Sequence, residues 1–176
     1  MPKLKEQLEK YALPLILGII AILAYGLFAF QQGFYWDDWA YSWTRAHLGV
    51  SGIIDMISYN RAVRAYWEGL MTPIIGIKPA GWQIYNIIAR WAATIALWYF
   101  LKTLWAEKKW QNALTALFFL VYPGFMQTPL AVIYQYFWSL LIFFFISLTL
   151  MVEAARSEDF RKLKIAISLL FSFFTT

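Results

Sequence analysis

The fold class this sequence predicts is all-α: a multi-pass transmembrane helical bundle with interfacial amphipathic helices in its first outer loop. Three observations carry it. Hydrophobic residues make up 61% of the 176-residue chain and charged residues only 14%, against about 45–50% and about 25% in an ordinary soluble domain. The charges are segregated, with none from Tyr11 to Trp36 and none from Trp110 to Val152. The cations collect between the apolar runs, as topology signals do.

Other classes fall away on the same grounds. A soluble fold of this size could not cover so much apolar surface. A disordered chain would be poor in aromatics, which here are 20% of residues. The net charge of +5 is spread along the chain, so it does not form the single basic face of a nucleic-acid binder. There is no cysteine and one histidine, His47, which excludes disulfides, thiol chemistry and a multi-histidine metal cage within this chain.

The elements follow in order within one transmembrane domain, 1–176. Span one covers about 13–31, behind Lys3, Lys5 and Lys10. Its apolar core is too long for a cleaved leader, so it reads as a signal anchor. The outer loop, 32–81, is too long to be structureless. In its first helix Trp36, Trp39, Trp43 and Ala46 share one face, and Asp38, Ser42 and Arg45 another. Gly49 and Gly52 break that helix, and a short apolar piece runs from Ile53 to Tyr59. Asn60 is an N-cap candidate for a further helix. There Arg61, Arg64 and Glu68 form a polar row beside Val63, Trp67 and Leu70. That pattern predicts an interfacial helix with its polar face toward water, ended by Thr72-Pro73.

Span two covers about 82–101 and carries the polar row Gln83, Asn86, Arg90 and Thr94. A charge inside a span needs a partner or a wet cavity. Asp37 or Asp38 is the expected partner of Arg90; an anionic ligand is the other reading. Spans three and four cover about 107–123 and 130–152, joined by a turn at Tyr122-Pro123-Gly124. A fifth apolar run, 165–176, is too short to cross, so the chain is expected to be the front of a longer protein. Lysines and arginines before span one, after span two and after span four put those segments on the cytoplasmic side, with 32–81 outside. Trp82, Trp105 and Trp110 are expected near span ends, in the headgroup region.

The candidate site lies in the outer loop. Adjacent carboxylates at Asp37 and Asp38 suit a general base or a divalent-metal ligand at the membrane surface. They equally suit the acidic start of a helix. Arg61 and Arg64 suit a phosphate, or else lipid headgroups and Glu68. His47, alone on a half-apolar helix, reads as structural. No Walker motif, nucleotide fingerprint or hydrolase elbow occurs.

The motif Tyr35-Trp36-Asp37-Asp38-Trp39, the segment Asn60-Arg61-Ala62-Val63-Arg64 and the entry Pro79-Ala80-Gly81-Trp82-Gln83-Ile84-Tyr85-Asn86 occur in this layout. Together they resemble the N-terminal part of the integral-membrane glycosyltransferases of the C-type fold (GT-C), in particular bacterial mannosyl- and aminoarabinose-transferring families. The Tyr122-Pro123-Gly124-Phe125 turn is similar to one in that group. The resemblance implies a base or metal role for Asp37 or Asp38. It implies contact of Arg61, Arg64 and Arg90 with the phosphate of a polyprenyl-phosphate-linked sugar. It also implies transfer at the outer face of a bacterial cytoplasmic membrane, in contact with membrane lipid. Family members have more spans, so the isolated chain is expected to be inactive. A non-catalytic scaffold or assembly subunit is the alternative. A transporter fits less well, because most charge lies outside the spans.

Overall fold

The computed structural model describes residues 2–122 and 129–174, with side chains from Tyr11 onward within those ranges. Every regular element among them is helical. Helix α1 spans Pro2–Ala21 and runs into one π-helical segment, Ile22–Gly26. The others are α2 (Asp38–Ser58), α3 (Ala62–Ile75), α4 (Pro79–Leu104), α5 (Lys109–Val121), α6 (Ala131–Arg156) and α7 (Arg161–Phe173).

Helices α4 and α6 form the central pair, and they are long and apolar enough to cross a membrane. At 26 residues each, they extend about 39 Å. Four complete spans are expected from the sequence; among the described residues these two helices meet the length and composition of one. The apolar stretch in the first helix, Tyr11–Gly26, is shorter. Helix α5 has only 13 residues, about 20 Å of rise. The turn expected at Tyr122-Pro123-Gly124 falls largely outside the described residues.

The bundle buries a row of polar side chains beside its apolar core, and it leaves many large apolar side chains exposed. Buried positions include Gln83, Asn86, Arg90 and Thr94 of α4 and Gln135, Ser139, Ser147 and Thr149 of α6. Leu15, Ile19, Leu23, Phe118, Phe144 and Leu170 are exposed. The polar row predicted along α4 therefore faces inward. Small residues let the helices approach: Ala89 and Ala93 pack against Trp138 between α4 and α6. Ser147 and Ser168 exchange hydroxyl-to-carbonyl bonds of 3.0 and 2.9 Å between α6 and α7. At the far end, Arg156 donates to the carbonyls of Thr103 and Leu104, which α4 leaves without intrahelical partners.

Helix α1 is held by one close approach. A Cβ on Gly18 would lie 3.2 Å from Trp91 Nε1, and that indole donates to the Pro14 carbonyl at 2.9 Å. Leu17 and Ala21 continue the contact against Ala116 and Leu120.

The loop helices differ from expectation in three ways. Gly49 does break the first one, at φ +66°, but the helix resumes through Ser58. Helix α3 does not stop at Pro73. A proline removes one ladder bond, and α3 continues to Ile75, ending at Gly76 with φ +80°. The third difference is its facing: Arg64, Ala65, Glu68, Gly69 and Thr72 are buried, while Tyr66, Leu70 and Ile74 are exposed. The polar face of α3 thus packs inward, where Arg45 of α2 meets Glu68 and Thr72, and Gln135 of α6 meets Glu68.

The α1 contact generates a test. Gly18→Leu must push the Trp91 ring off the Pro14 carbonyl, at a cost of about 1–3 kcal/mol. We expect a clear fall in the thermal unfolding midpoint in detergent. Gly33→Leu is the control, since nothing lies within 4 Å of a Cβ there. Equal midpoints for the two variants would refute this packing account.

Candidate functional site

In the segment 32–81, two arginines converge on one buried carboxylate. Glu68, with 0% exposure, accepts from Arg45 Nη2 at 2.5 Å through Oε2. Its Oε1 accepts from Gln135 Nε2 at 2.9 Å and lies 3.5 Å from Arg64 Nη2. Helices α2, α3 and α6 supply one group each around it: Arg45, Arg64 and Gln135. Arg45 is fixed further: its Nε donates to Thr72 Oγ1 at 3.0 Å, and its guanidinium stacks 4.0 Å from the Trp82 ring. Trp82 lies near the start of α4 as expected but is fully buried rather than open to a headgroup region, and its own indole donates to the Gly76 carbonyl at 2.8 Å. Trp105 and Trp110 do stay exposed. Burial pushes the Glu68 carboxyl above its ordinary range, opposed by the two arginines and Gln135.

Asp38 does a different job from Asp37. At 0% exposure its Oδ1 accepts the Ile133 amide at 3.3 Å, and the amides of Ala131 and Val132 also favour its charge. The carboxylate thus caps the first turn of α6 from another helix, where unpaired amides attract an anion. Burial outweighs this and pushes the Asp38 pKa up to about 6. Its Oδ2 has no hydrogen-bond partner. Asp37 is exposed at the N-cap of α2. The adjacent positions point apart, as a helical start requires.

A groove of about 790 Å³ runs beside this cluster. One wall is the start of α3 with Arg61, Val63 and Arg64, and the other is α6 with Ile133, Tyr136, Phe137 and Leu140. Phe173 of α7 also lines it. Arg61 is exposed and Arg64 is 2% exposed. The Arg64 guanidinium lies 5.0 Å from the Tyr41 ring and 5.4 Å from the Tyr136 ring. Its Nε and Nη2 have no hydrogen-bond acceptor. One end of the groove is cationic and its length is apolar.

Several expectations change here. Arg90 does not pair with Asp37 or Asp38, because Asp38 is committed to α6 and Asp37 faces outward. Arg90 instead sits between the Tyr25 and Trp138 rings, 4.0 and 4.9 Å away, and does not line the groove. Tyr25 of the π-helical segment also donates to the Leu120 carbonyl at 3.1 Å, which ties this corner together. Arg61 does not join Glu68; it precedes α3 as its N-cap residue, one position after Asn60. A metal held by the acidic pair does not fit these donors, since one carboxylate is spent on amides beside Arg45 and the other faces away. Among the described residues no group of three or more acidic or histidine side chains could hold a metal ion. His47 is exposed and stacks on Trp43 at 4.8 Å. Sequence reasoning missed Gln135 and Tyr136 and understated Arg45. The signal available was that Gln135 is the polar amide within the charge-free stretch of α6.

The Asp38 shift has a sign that can be tested. Its folded pKa of about 6 lies above the ordinary aspartate value of 3.8, so the fold favours the protonated form. Its contribution to stability is present at acid pH and is lost as pH rises through about 6. Asp38→Asn should therefore gain stability relative to wild type between about pH 4 and about pH 7, on the order of 2 kcal/mol. A difference between the two that stays flat with pH would overturn the assignment. No protein-family model, no curated protein and no solved structure matches this chain.

Proposed function

We propose that this chain is the N-terminal portion of a multi-pass membrane glycosyltransferase that takes a sugar from a polyprenyl-phosphate donor on the outer side of the membrane. The groove carries the reading. Its cationic end, Arg61 and Arg64, suits a phosphate, and Val63, Ile133, Phe137, Leu140 and Phe173 suit the hydrocarbon that follows it. A lipid phosphate has that two-part chemistry. The many exposed large apolar side chains and the polar rows buried between helices favour a hydrocarbon surrounding, in which internal polar groups satisfy one another. The exposed indoles of Trp36, just before α2, and of Trp39 and Trp43 within it fit the headgroup region.

Within this reading Asp37 is the acceptor-side base, because it is open to an incoming hydroxyl and Asp38 is not. The acceptor oxygen attacks the anomeric carbon while its proton passes to the Asp37 carboxylate. The bond from that carbon to the phosphate oxygen breaks, and the lipid phosphate leaves with the electron pair. Arg61 and Arg64 hold the charge that it acquires. Asp38 is a positioning residue that keeps α6 in place. A non-catalytic scaffold takes its support from that same Asp38 contact, which explains half of the acidic pair without chemistry.

Two measurements separate these readings. In nanodiscs of phosphatidylcholine, Arg61→Gln and Arg64→Gln should each weaken farnesyl phosphate binding by about tenfold and leave farnesol binding unchanged. In the full-length gene product, Asp37→Asn should cut sugar transfer by about 100-fold or more while donor binding persists. Normal transfer by Asp37→Asn removes the base assignment. Equal binding of phosphate and alcohol removes the donor-groove assignment and favours the scaffold.

A further inference from the structure

The two arginines that share Glu68 are held very differently. Arg45 has a 2.5 Å bond to Oε2, a second bond to Thr72 and a ring stack on Trp82. Arg64 has a 3.5 Å approach to Oε1, with its Nε and Nη2 lacking hydrogen-bond acceptors. The oxygen that faces Arg64 is already occupied by Gln135 at 2.9 Å. A buried guanidinium with unsatisfied donors is costly to leave so, yet Arg64 lines the groove. Its side chain is one ligand short, and the groove is where a ligand can reach it.

We propose that Glu68 is a specificity-determining counter-ion: it holds Arg64 loosely before a ligand binds, and yields it to the phosphate of an incoming lipid while keeping Arg45. This rests on the donor-groove reading above. Glu68 competes with the ligand for one cation, so only an anion that outbids a buried carboxylate takes Arg64. A neutral prenol gains nothing from that exchange. The rings of Tyr41 and Tyr136 flank the guanidinium in either state and soften the cost of the transfer. Gln135 is part of the device, since its amide competes with Arg64 for Oε1 and keeps that ion pair weak. Neutralising Glu68 by protonation should have the same effect as removing its charge. The groups that face it are Arg45 and, beyond Arg45, Asp38 of α2; Arg64 of α3; Tyr85 of α4; and Gln135 and Tyr136 of α6.

The test uses the whole chain in phosphatidylcholine nanodiscs, with farnesyl phosphate, its methyl diester and farnesol as probes. Glu68→Gln should bind farnesyl phosphate about threefold to tenfold more tightly, with farnesol unchanged. Gln135→Met should bind it more weakly, since Oε1 is then free for Arg64. General damage to the fold would weaken both, so opposite signs are the mark of competition. The methyl diester keeps one charge between about pH 5 and about pH 8, unlike the monoester. It should bind more tightly at the acid end, in wild type and in Asp38→Asn alike, which reads Glu68 without mutating it. Weaker or unchanged binding by Glu68→Gln, together with a flat diester profile, overturns the proposal while a wild-type preference for phosphate over farnesol keeps the groove reading. If Glu68→Gln does not fold, the diester profile decides alone. No preference for phosphate in wild type sinks both.

Discussion

Glu68 lies without solvent contact between Arg45 and Arg64, and the positions of α2 and α3 against α6 depend on that arrangement. A carboxylate buried alone would cost several kcal/mol, and so would either guanidinium. The three charges can be buried only together. Burying them requires α2 to bring Arg45, α3 to bring Glu68 and Arg64, and α6 to bring Gln135. Apolar packing adds to this, through Ile53 and Ile57 against Ala65 and through Phe34 and Trp82 against Ala131 and Val132. Packing of that kind is not directional. The ion cluster supplies the direction, because its hydrogen bonds tolerate only a narrow range of angles.

The same constraint links the acidic motif to the groove. Asp38 begins α2 and grips the first turn of α6, and Ile133 in that turn lines the groove. Seven residues along the same face of α2, Arg45 meets Glu68. One face of one helix thus sets both the α6 wall and the counter-ion of the α3 wall. Asp38 does this although burial disfavours its charge, so stability alone does not account for it. An asparagine could accept the amide without that penalty. What an asparagine lacks is a negative charge close to Arg45 and the α6 amides, which is an electrostatic property of the site rather than a packing one.

Much of the fold could be read from the sequence because periodicity marks faces. The row Gln83, Asn86, Arg90 and Thr94 lies inside α4 as its spacing predicts, and Gly49 breaks α2 at a positive φ. Periodicity does not say which face is turned inward. For α3 the assumption of water on the polar side inverted the result, because Arg64 and Glu68 find partners on α2 and α6 that no local pattern reveals. Pro73 misled for a related reason: one lost ladder bond is a small cost in a helix held by its neighbours. Arg90 was assigned an acidic partner on charge alone. The structure places aromatic faces around it, and an indole or phenol ring beside a guanidinium leaves no mark in a charge pattern. For the acidic pair, the rotation between adjacent helical residues sets Asp37 and Asp38 apart, so one is buried against α6 and the other is exposed.

The groove itself was beyond sequence reasoning for a physical reason. Its walls come from Asn60–Arg64 and Ile133–Leu140, some seventy residues apart; the arginines of the first suggest a phosphate, but nothing in the sequence pairs that wall with the second. What makes the site is their junction at Glu68 and Gln135. There a polar atom of α6 and a carboxylate of α3 settle how much of Arg64 is left over for something else. A stronger internal pair would stabilise the junction and close the site to anions. A weaker one would leave a buried cation unmatched and splay the two walls. The observed distances, tight to Arg45 and loose to Arg64, lie between these extremes. The asymmetry lets one carboxylate serve both ends: Arg45 stays bound to it and fixes the helices, while Arg64 keeps donors to offer at the groove.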